Sequence, residues 1–281
     1  MAVYSVFLDI DDTLISMEKG GPFPDDIAAI MYAWQRGTKF FICTGRSLVQ
    51  IHPALMQAPW RDGIVAGGGA HVIMGEKTIY QNWIPVPVLC EISGVFLEAG
   101  LECNFRADKY IYSINQNNQN TGKLPITSKN DFMEKYLFAK VSMLTVDLKI
   151  GKKERSFLEQ HFDIYPQIPH FDCFIKGEGK AKGMKMILDN LGLDARYSVA
   201  IGDSANDIDI FDEAGTGIAV GNACRELKEK ASWISAPVGE GAIVRALEHL
   251  GLCRAANKGA AKNPDPAGSD RDSAVLSNNP D

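Results

Sequence analysis

The first eighty residues alternate short apolar runs with amphipathic stretches. Residues 3–10 form an apolar run that ends in acidic side chains, which is typical of a buried parallel strand. Residues 24–37 place apolar side chains at helical spacing between a proline and a glycine, and so predict a helix. A second apolar run at residues 39–43 predicts another strand, followed by a polar turn and a helix from near Ser47. This order of elements predicts a parallel sheet with right-handed crossovers.

The chain changes character between about residues 83 and 178. Short strands broken by glycines at residues 63–80, which we interpret as a small hairpin, lead into this block, and two prolines mark the break. Inside it, strands joined by short links alternate with helices around a polar Asn/Gln loop at residues 115–120. That pattern predicts an antiparallel α+β unit. The alternation of helix and strand resumes at residue 180 and continues to residue 250.

We therefore predict an α/β fold, with a Rossmann-like parallel-sheet core that carries helices on both faces and is interrupted by an inserted α+β domain. The core domain is assigned to residues 1–83 and 179–254, and the inserted domain to residues 84–178. Residues 255–281 contain no aromatic side chain and little apolar mass, so we expect a disordered C-terminal tail.

Composition excludes several classes of partner. The 281 residues are 46% hydrophobic and 23% charged, which is ordinary for a globular protein of one large or two modest domains. The net charge of −6 argues against nucleic acid and against anionic membranes. No apolar run reaches the roughly 18 residues of a membrane span. Because Asp9, Asp11 and Asp12 interrupt what would be the apolar core of a signal peptide, we expect a cytoplasmic protein.

The cysteines and histidines do not form a metal-binding pattern. The six cysteines lie far apart without a CxxC pair, and the five histidines contain no HExxH motif. We therefore expect reduced, mostly buried thiols and no zinc or other transition-metal site.

Acidic side chains follow two of the predicted strands. Asp9 and Asp11 end the first strand, and Asp203 and Asp207 follow the strand predicted at residues 197–201. Open parallel sheets bind ligands at the carboxyl ends of their strands, so we expect the four carboxylates to converge. Each like-charge pair at ~4 Å costs up to ~4 kcal/mol at an effective dielectric constant of 20. Mg²⁺, which prefers oxygen ligands, relieves that repulsion.

The charge of this site also limits its ligand. Four carboxylates, Lys180, one Mg²⁺ and a phosphate dianion sum to roughly −3, so N–H donors at helix starts and loops must hold the phosphate. Ser204, Asn206 and the turn at Gly45 are placed to provide them. Two close carboxylates can divide the work, one as nucleophile and the other as acid and base.

Four segments, in order, resemble the motifs of the haloacid dehalogenase superfamily of phosphotransferases. FLDIDDTL matches its DxDx(T/V) motif, and Thr44-Gly45-Arg46 matches its Thr/Ser motif. Lys180, at the start of a helix, matches the lysine motif, and GDSANDI matches the GDxxND motif. The resemblance covers roughly residues 3–250, and the inserted block resembles the α/β cap domain of the type IIB, Cof-like subgroup, which includes sugar-phosphate phosphatases. One such motif is weak evidence, whereas four in order are strong evidence.

The resemblance implies catalytic roles for three residues. Asp9 would attack phosphorus and form an aspartyl-phosphate. Asp11 would protonate the leaving alkoxide and then deprotonate the hydrolytic water. Lys180 would neutralise the nucleophile and the transferring phosphoryl group, with Lys182 as the alternative for this motif.

The resemblance also implies binding residues and a Mg²⁺ cofactor. The phosphoryl group would be bound by Thr44, Gly45 and Asn206. Asp203 would ligate Mg²⁺ directly and Asp207 would support it, while Asp11 would contribute its main-chain carbonyl. The metal site is therefore expected at Asp9, Asp11, Asp203 and Asp207.

The expected function is Mg²⁺-dependent hydrolysis of a small phosphorylated metabolite, most plausibly a sugar phosphate, by a monomer or homodimer. A phosphomutase that uses the same aspartyl-phosphate is the first alternative, and a binding or regulatory protein with a vestigial site is the second. In the cap domain, Arg106, Lys109, Tyr110 and Asn115 either contact the substrate or belong to a solvated sheet face.

Overall fold

The computed structural model describes residues 3–114 and 122–253. The loop predicted at residues 115–120 and the tail predicted at residues 255–281 lie outside the described residues. Within the described ranges, every helix is too short or too polar to cross a lipid bilayer.

The chain builds two β-sheets. Its strands are β1 (Ser5–Leu8), β2 (Lys39–Cys43), β3 (Arg61–Ala66), β4 (His71–Met74), β5 (Lys77–Gln81), β6 (Cys103–Ala107), β7 (Ile111–Ile114), β8 (Leu124–Pro125), β9 (Val141–Asp147), β10 (Phe162–Gln167), β11 (His170–Ile175), β12 (Ser198–Gly202), β13 (Thr216–Ala219) and β14 (Trp233–Ile234). The first sheet has the order β14-β13-β12-β1-β2-β3-β4-β5, and the second has the order β10-β11-β9-β6-β7-β8.

The helices pack on these sheets. They are α1 (Pro24–Trp34), α2 (Pro53–Met56), α3 (Val86–Ala99), α4 (Asp131–Glu134), α5 (Lys152–Leu158), α6 (Lys180–Leu191), α7 (Ile208–Glu213), α8 (Arg225–Lys230) and α9 (Ala242–His249). Helix α1 packs against α9, while α7 contacts both α6 and α8. The chain moves from β1 toward one edge of the first sheet and from β12 toward the other edge. Because such connections are right-handed, the pair α1 and α9 lies on one face of the sheet, and α6, α7 and α8 lie on the other.

The first sheet confirms the predicted α/β fold. Neighbouring strands run parallel from β14 to β3, and β4 and β5 extend the sheet in the antiparallel sense. Strand β1 is central, with β12 on one side and β2 on the other, and all four of its residues are buried. A strand covered on both faces must be apolar throughout, which explains the unbroken run in the sequence. Its carboxyl end therefore lies in the middle of the sheet.

The structure differs most from the prediction after β2, where we expected a helix from near Ser47. The structure has a 3₁₀ turn at Leu48–Gln50 and then the four-residue helix α2. Pro53 begins α2, because proline lacks the N–H that a helix interior needs and disfavours helical geometry in the residue before it. The polar turn after β2 is therefore longer than expected.

The second sheet has one apolar face and one polar face. Cys103, Phe105 and Ala107 alternate along β6 with Asn104 and Arg106, and only the first three are buried. The apolar face contributes to a cluster of buried side chains that is separate from the cluster around the first sheet. The other face of the second sheet is turned toward the carboxyl end of the first. The domain boundaries at residues 83/84 and 178/179 stay a prediction.

A glycine turn lets the two sheets approach closely. Gly67, Gly68 and Gly69 follow β3 with φ values of +58°, +60° and +103°. A Cβ atom on Gly68 would lie 2.5 Å from the ring of Phe174 in β11, and one on Gly69 would lie 2.1 Å from the carbonyl oxygen of Gly179. Both the backbone conformation and the close contacts therefore require glycine here.

Candidate active site

A buried lysine lies between two buried carboxylates at the centre of the first sheet. Asp9 follows β1, Lys180 is the first residue of α6, and Asp207 ends the 3₁₀ turn that follows β12. Lys180 Nζ donates to Asp9 Oδ1 at 2.8 Å and to Asp207 Oδ1 at 2.6 Å. Asp9 and Asp207 lie 171 and 27 positions from Lys180 in the sequence, and they meet at its ammonium group.

The turn after β12 fixes Asp207 and leaves Asp203 more open. Asp207 Oδ2 accepts hydrogen bonds from the main-chain N–H groups of Asp203 and Ser204, both at 3.1 Å. With Lys180 on its other oxygen, the Asp207 carboxylate is fully engaged. Asp203 Oδ1 accepts only the hydroxyl of Thr13, at 3.3 Å, among its side-chain contacts in the described residues. Asp203 is therefore the carboxylate of this pair that is available to a ligand.

Burial and neighbouring charges shift the pKa values of these groups. Burial raises the pKa of Asp9 to about 7; Lys180 opposes this shift, while Asp207 and Asp11 add to it. Burial also raises the pKa of Asp203 to about 9, helped by the charges of Asp9 and Asp207. Burial alone would disfavour the Lys180 ammonium, but Asp207 and Asp9 outweigh it and raise the pKa of Lys180 well above its usual value.

The donor set fits a hard divalent cation. One carboxylate oxygen from each of Asp9, Asp203 and Asp207 lies within 4.8 Å of the others. These oxygen donors suit Mg²⁺, whose charge would favour the ionised forms of Asp9 and Asp203. Asp203 offers the open ligand position, with Asp207 behind it, and Asp9 Oδ2 next to them has no hydrogen-bond partner among the described residues.

Asp11 is held by an arginine that follows β2. Arg46 donates from Nε to Asp11 Oδ2 at 2.8 Å and from Nη2 to Asp11 Oδ1 at 2.5 Å, while Nη1 donates to the carbonyl of Gln50 at 2.8 Å. The side chain of Asp11 is therefore paired with Arg46 and does not belong to the group of three carboxylates. This bidentate pair restrains both charged groups at the edge of the site.

A cavity of about 290 Å³ opens above these carboxylates, between the two sheets. Asp9, Asp11, Gly45, Asp203 and Asn206 line it. Lys180, Asp207 and Thr44 are buried outside its lining, and the Thr44 hydroxyl oxygen accepts the N–H of Arg46 at 3.1 Å.

Gly45 and Asn206 occupy the cavity wall next to the second sheet. A Cβ atom on Gly45 would lie 2.8 Å from the ring of Phe174, so glycine is needed where β11 approaches. The Asn206 side-chain nitrogen faces Gly45, and its oxygen accepts the Ser204 hydroxyl at 3.0 Å. The predicted phosphate-binding residues Gly45 and Asn206 therefore share one wall, with Thr44 behind it.

The two candidate lysines have different surroundings. Lys182 points away from Asp9 and donates to Glu178 Oε1 at 2.8 Å and to the Tyr80 hydroxyl at 2.9 Å. Glu178 Oε1 also accepts from the Tyr80 hydroxyl at 2.8 Å and from Asn82 Nδ2 at 2.9 Å, and Glu178 Oε2 is buried without a hydrogen-bond partner in the described part of the chain. The geometry thus puts Lys180, not Lys182, at Asp9.

The second sheet forms the roof of the cavity. Most residues of this roof were not among the candidates predicted from the sequence. Arg106, Gln167, His170 and Asp172 line the roof. Of the four cap candidates, Arg106 reaches the cavity, Lys109 and Tyr110 are exposed in the turn after β6, and Asn115 lies outside the described residues. Alternation of polar side chains in β6 and β11 is the signal that marks this face.

Comparison with known proteins identifies the family. The haloacid dehalogenase-like hydrolase family matches residues 6–247. The phosphoglycolate phosphatase of Methanosarcina acetivorans is 41% identical over 176 residues, which are 61% of this chain and 71% of that protein. The pyridoxal phosphate phosphatase YbhA of Escherichia coli K12 is 25% identical over 256 residues, 83% of this chain and 93% of that protein.

A solved structure is similar over both sheets. The HAD subclass IIB sugar phosphatase BT4131 superposes with a TM-score of 0.77 at 27% identity, covering 89% of this chain and 100% of that chain. The resemblance seen in the four motifs and in the inserted block is therefore confirmed. Together with the relatives that are phosphatases, it shows that this chain belongs to the haloacid dehalogenase-like hydrolase family and is a phosphoric monoester hydrolase.

Proposed function

We propose that the protein catalyses Mg²⁺-dependent hydrolysis of a small phosphorylated metabolite, a sugar phosphate, through an aspartyl-phosphate on Asp9. This proposal rests on the contacts of the Asp9 carboxylate. One carboxylate oxygen is held by Lys180, the other has no hydrogen-bond partner among the described residues, and the side chain lines the cavity. A fixed carboxylate with one free oxygen is what in-line attack on phosphorus requires.

The proposed reaction has two steps on the same carboxylate. In the first, the free oxygen of Asp9 forms a bond to phosphorus, the bond from phosphorus to the sugar oxygen breaks, and Asp11 gives a proton to the leaving alkoxide. In the second, Asp11 takes a proton from water, the water oxygen bonds to phosphorus, and Asp9 is released with inorganic phosphate. Because Asp11 is paired with Arg46, substrate binding must break that pair before Asp11 can act as an acid.

The remaining residues stabilise charge in both steps. Lys180 offsets the negative charge of Asp9 and of the phosphoryl oxygens, while Asn206 and the turn at Gly45 donate hydrogen bonds. Asp203, next to Asp9, would hold Mg²⁺, which would supply a second positive charge beside the phosphoryl group. The cap domain, proposed at residues 84–178, encloses the leaving group and excludes bulk water from the cavity, leaving the one water molecule that the second step needs.

Asp203→Asn should raise the Mg²⁺ concentration needed for half-maximal activity by at least about tenfold. The amide keeps the shape of the carboxylate but removes the negative charge that would attract the cation. A Mg²⁺ titration of phosphate release measures this, with Asp212→Asn as the matched control because Asp212 is exposed and paired with Lys230. An unchanged Mg²⁺ titration of the Asp203 variant would contradict its role as a ligand.

A phosphate-release screen tests the function itself. Wild-type protein is assayed on glucose 6-phosphate, ribose 5-phosphate, 2-phosphoglycolate, pyridoxal phosphate and p-nitrophenyl phosphate, with Mg²⁺ and with a chelator. We expect release of inorganic phosphate from sugar phosphates, and loss of that release in the chelator. Conversion of one sugar phosphate into an isomer without phosphate release would assign a mutase instead, and no turnover at all would contradict the proposal.

A further inference from the structure

The polar face of the second sheet carries a small set of side chains directly above the catalytic carboxylates. In the register of this sheet, Thr145 of β9 is opposite Asp172 of β11, and Met143 is opposite Arg106 of β6. Side chains two residues apart on a strand share a face. Arg106, Thr145 and Asp172 therefore point to the same side, and Arg106 and Asp172 line the same cavity as Asp9.

Arg106 has hydrogen-bond donors in this cavity that no described residue accepts. Its Nε donates to the Thr145 hydroxyl oxygen at 3.3 Å, which fixes the plane of the guanidinium group. Its two Nη atoms have no partner among residues 3–114 and 122–253. Burial lowers the pKa of the Arg106 guanidinium, and the Asp172 carboxylate opposes this shift. A half-buried arginine that keeps four unused N–H donors in a cavity can bind a ligand that accepts hydrogen bonds.

Asp172 supplies the complementary acceptor. Its side chain is only 15% exposed, and its Oδ1 is buried without a hydrogen-bond partner in the described part of the chain. The nearest cationic candidate, His170 Nε2, lies 3.2 Å from that oxygen without the alignment of a hydrogen bond. A buried carboxylate oxygen that accepts nothing is costly, so a donor from a ligand would be strongly favoured here.

We propose that Arg106 and Asp172 determine substrate specificity by binding neighbouring hydroxyl groups of the leaving group, one accepting from Arg106 and the other donating to Asp172. This inference rests on the sugar-phosphate hydrolysis proposed above. The opposite charges of Arg106 and Asp172 on this face favour a neutral polyol, because Asp172 repels a second phosphate or a carboxylate. The roof thus selects against phosphorylated acids, although it contains an arginine.

The test compares two substrates on single variants of each residue. Arg106→Met and Asp172→Asn are assayed for kcat/KM on the better of glucose 6-phosphate and ribose 5-phosphate, and on p-nitrophenyl phosphate, which has no hydroxyl groups on its leaving group. We expect the ratio of sugar phosphate to aryl phosphate to fall by about 10- to 100-fold in each variant, as when a buried charged partner loses its hydrogen bond. For Asp172→Asn we also expect 2-phosphoglycolate to become a better substrate.

Controls separate recognition from folding. Arg155 on α5 and Glu159, the residue after α5, form an exposed ion pair at 2.8 Å. Arg155→Met and Glu159→Gln make the same chemical changes in this exposed pair. Both variants should keep the wild-type kcat/KM on both substrates. Thermal unfolding of all variants, and of the double variant Arg106→Met/Asp172→Asn, reports any structural role. If the two residues were only structural, the variants would lose stability and would lose activity on the two substrates equally.

The outcomes also distinguish this inference from the proposed function. A substrate ratio that stays within about twofold of wild type overturns the inference while sugar-phosphate hydrolysis by the wild-type protein still supports the function. If the wild-type protein prefers 2-phosphoglycolate or releases no phosphate from either sugar phosphate, the proposed substrate class is wrong and the inference is overturned with it.

Discussion

Asp9→Asn should abolish turnover while leaving the protein folded. The amide has the same shape, but it cannot attack phosphorus, and losses on the order of 10⁴-fold or more follow when a covalent nucleophile is removed. Because burial raises the pKa of Asp9 to about 7, the ionised carboxylate is disfavoured in the metal-free fold. We therefore expect a thermal midpoint no lower than that of the wild type.

Two measurements check this prediction. Phosphate release gives kcat/KM, and acid quenching during turnover reveals covalently bound phosphate on the wild-type protein but none on the variant. Asp212→Asn, at an exposed position, is the control and should behave as wild type in both. An Asp9→Asn variant that kept activity within about tenfold of the wild type, or still formed the covalent adduct, would remove Asp9 from the role of nucleophile.

Replacing Lys180 with methionine should cost both activity and stability. The change leaves Asp9 and Asp207 buried beside each other without the ammonium that accounts for their short contacts. Removing one partner of a buried ion pair costs about 3–5 kcal/mol of unfolding free energy, and removing a charge that stabilises the transition state costs about 10²- to 10³-fold in kcat. Denaturant unfolding in a chelator and single-turnover kinetics with Mg²⁺ measure the two effects separately.

Lys182→Met is the matched control for Lys180. This lysine is 38% exposed in its side chain, and Glu178 keeps hydrogen bonds from Tyr80 and Asn82 after its removal. We expect a loss of about 1 kcal/mol in unfolding free energy and kcat within about twofold of the wild type. The opposite ranking of the two lysines would assign the motif to Lys182.

The proximity of Asp9, Asp203 and Asp207 could be predicted because these residues follow the ends of strands. Asp9 follows a strand that is buried on both faces, and Asp203 and Asp207 follow a second apolar strand. The pairing of β1 with β12 then makes these ends neighbours. Local pattern and sheet topology are enough to infer this, since both follow from hydrophobic burial and short right-handed connections.

The roof of the site could not be predicted in the same way. Polar residues alternate along β6 and β11, but alternation alone does not distinguish a solvated face from a face covered by another sheet. That distinction depends on how Phe174 packs against Gly45 and Gly68, a contact between segments more than a hundred residues apart. The pair formed by Asp11 and Arg46 likewise depends on side-chain geometry that no spacing rule contains.

The hydrogen bonds to Glu178 have a consequence for the way the two sheets are joined. Asn82 lies on the first passage of the chain between the sheets and Glu178 on the second, and Tyr80 and Lys182 anchor the same carboxylate to the first sheet. Both passages are therefore fastened at one point. A rotation of the inserted unit that separated the two passages would therefore have to break the hydrogen bonds to Glu178.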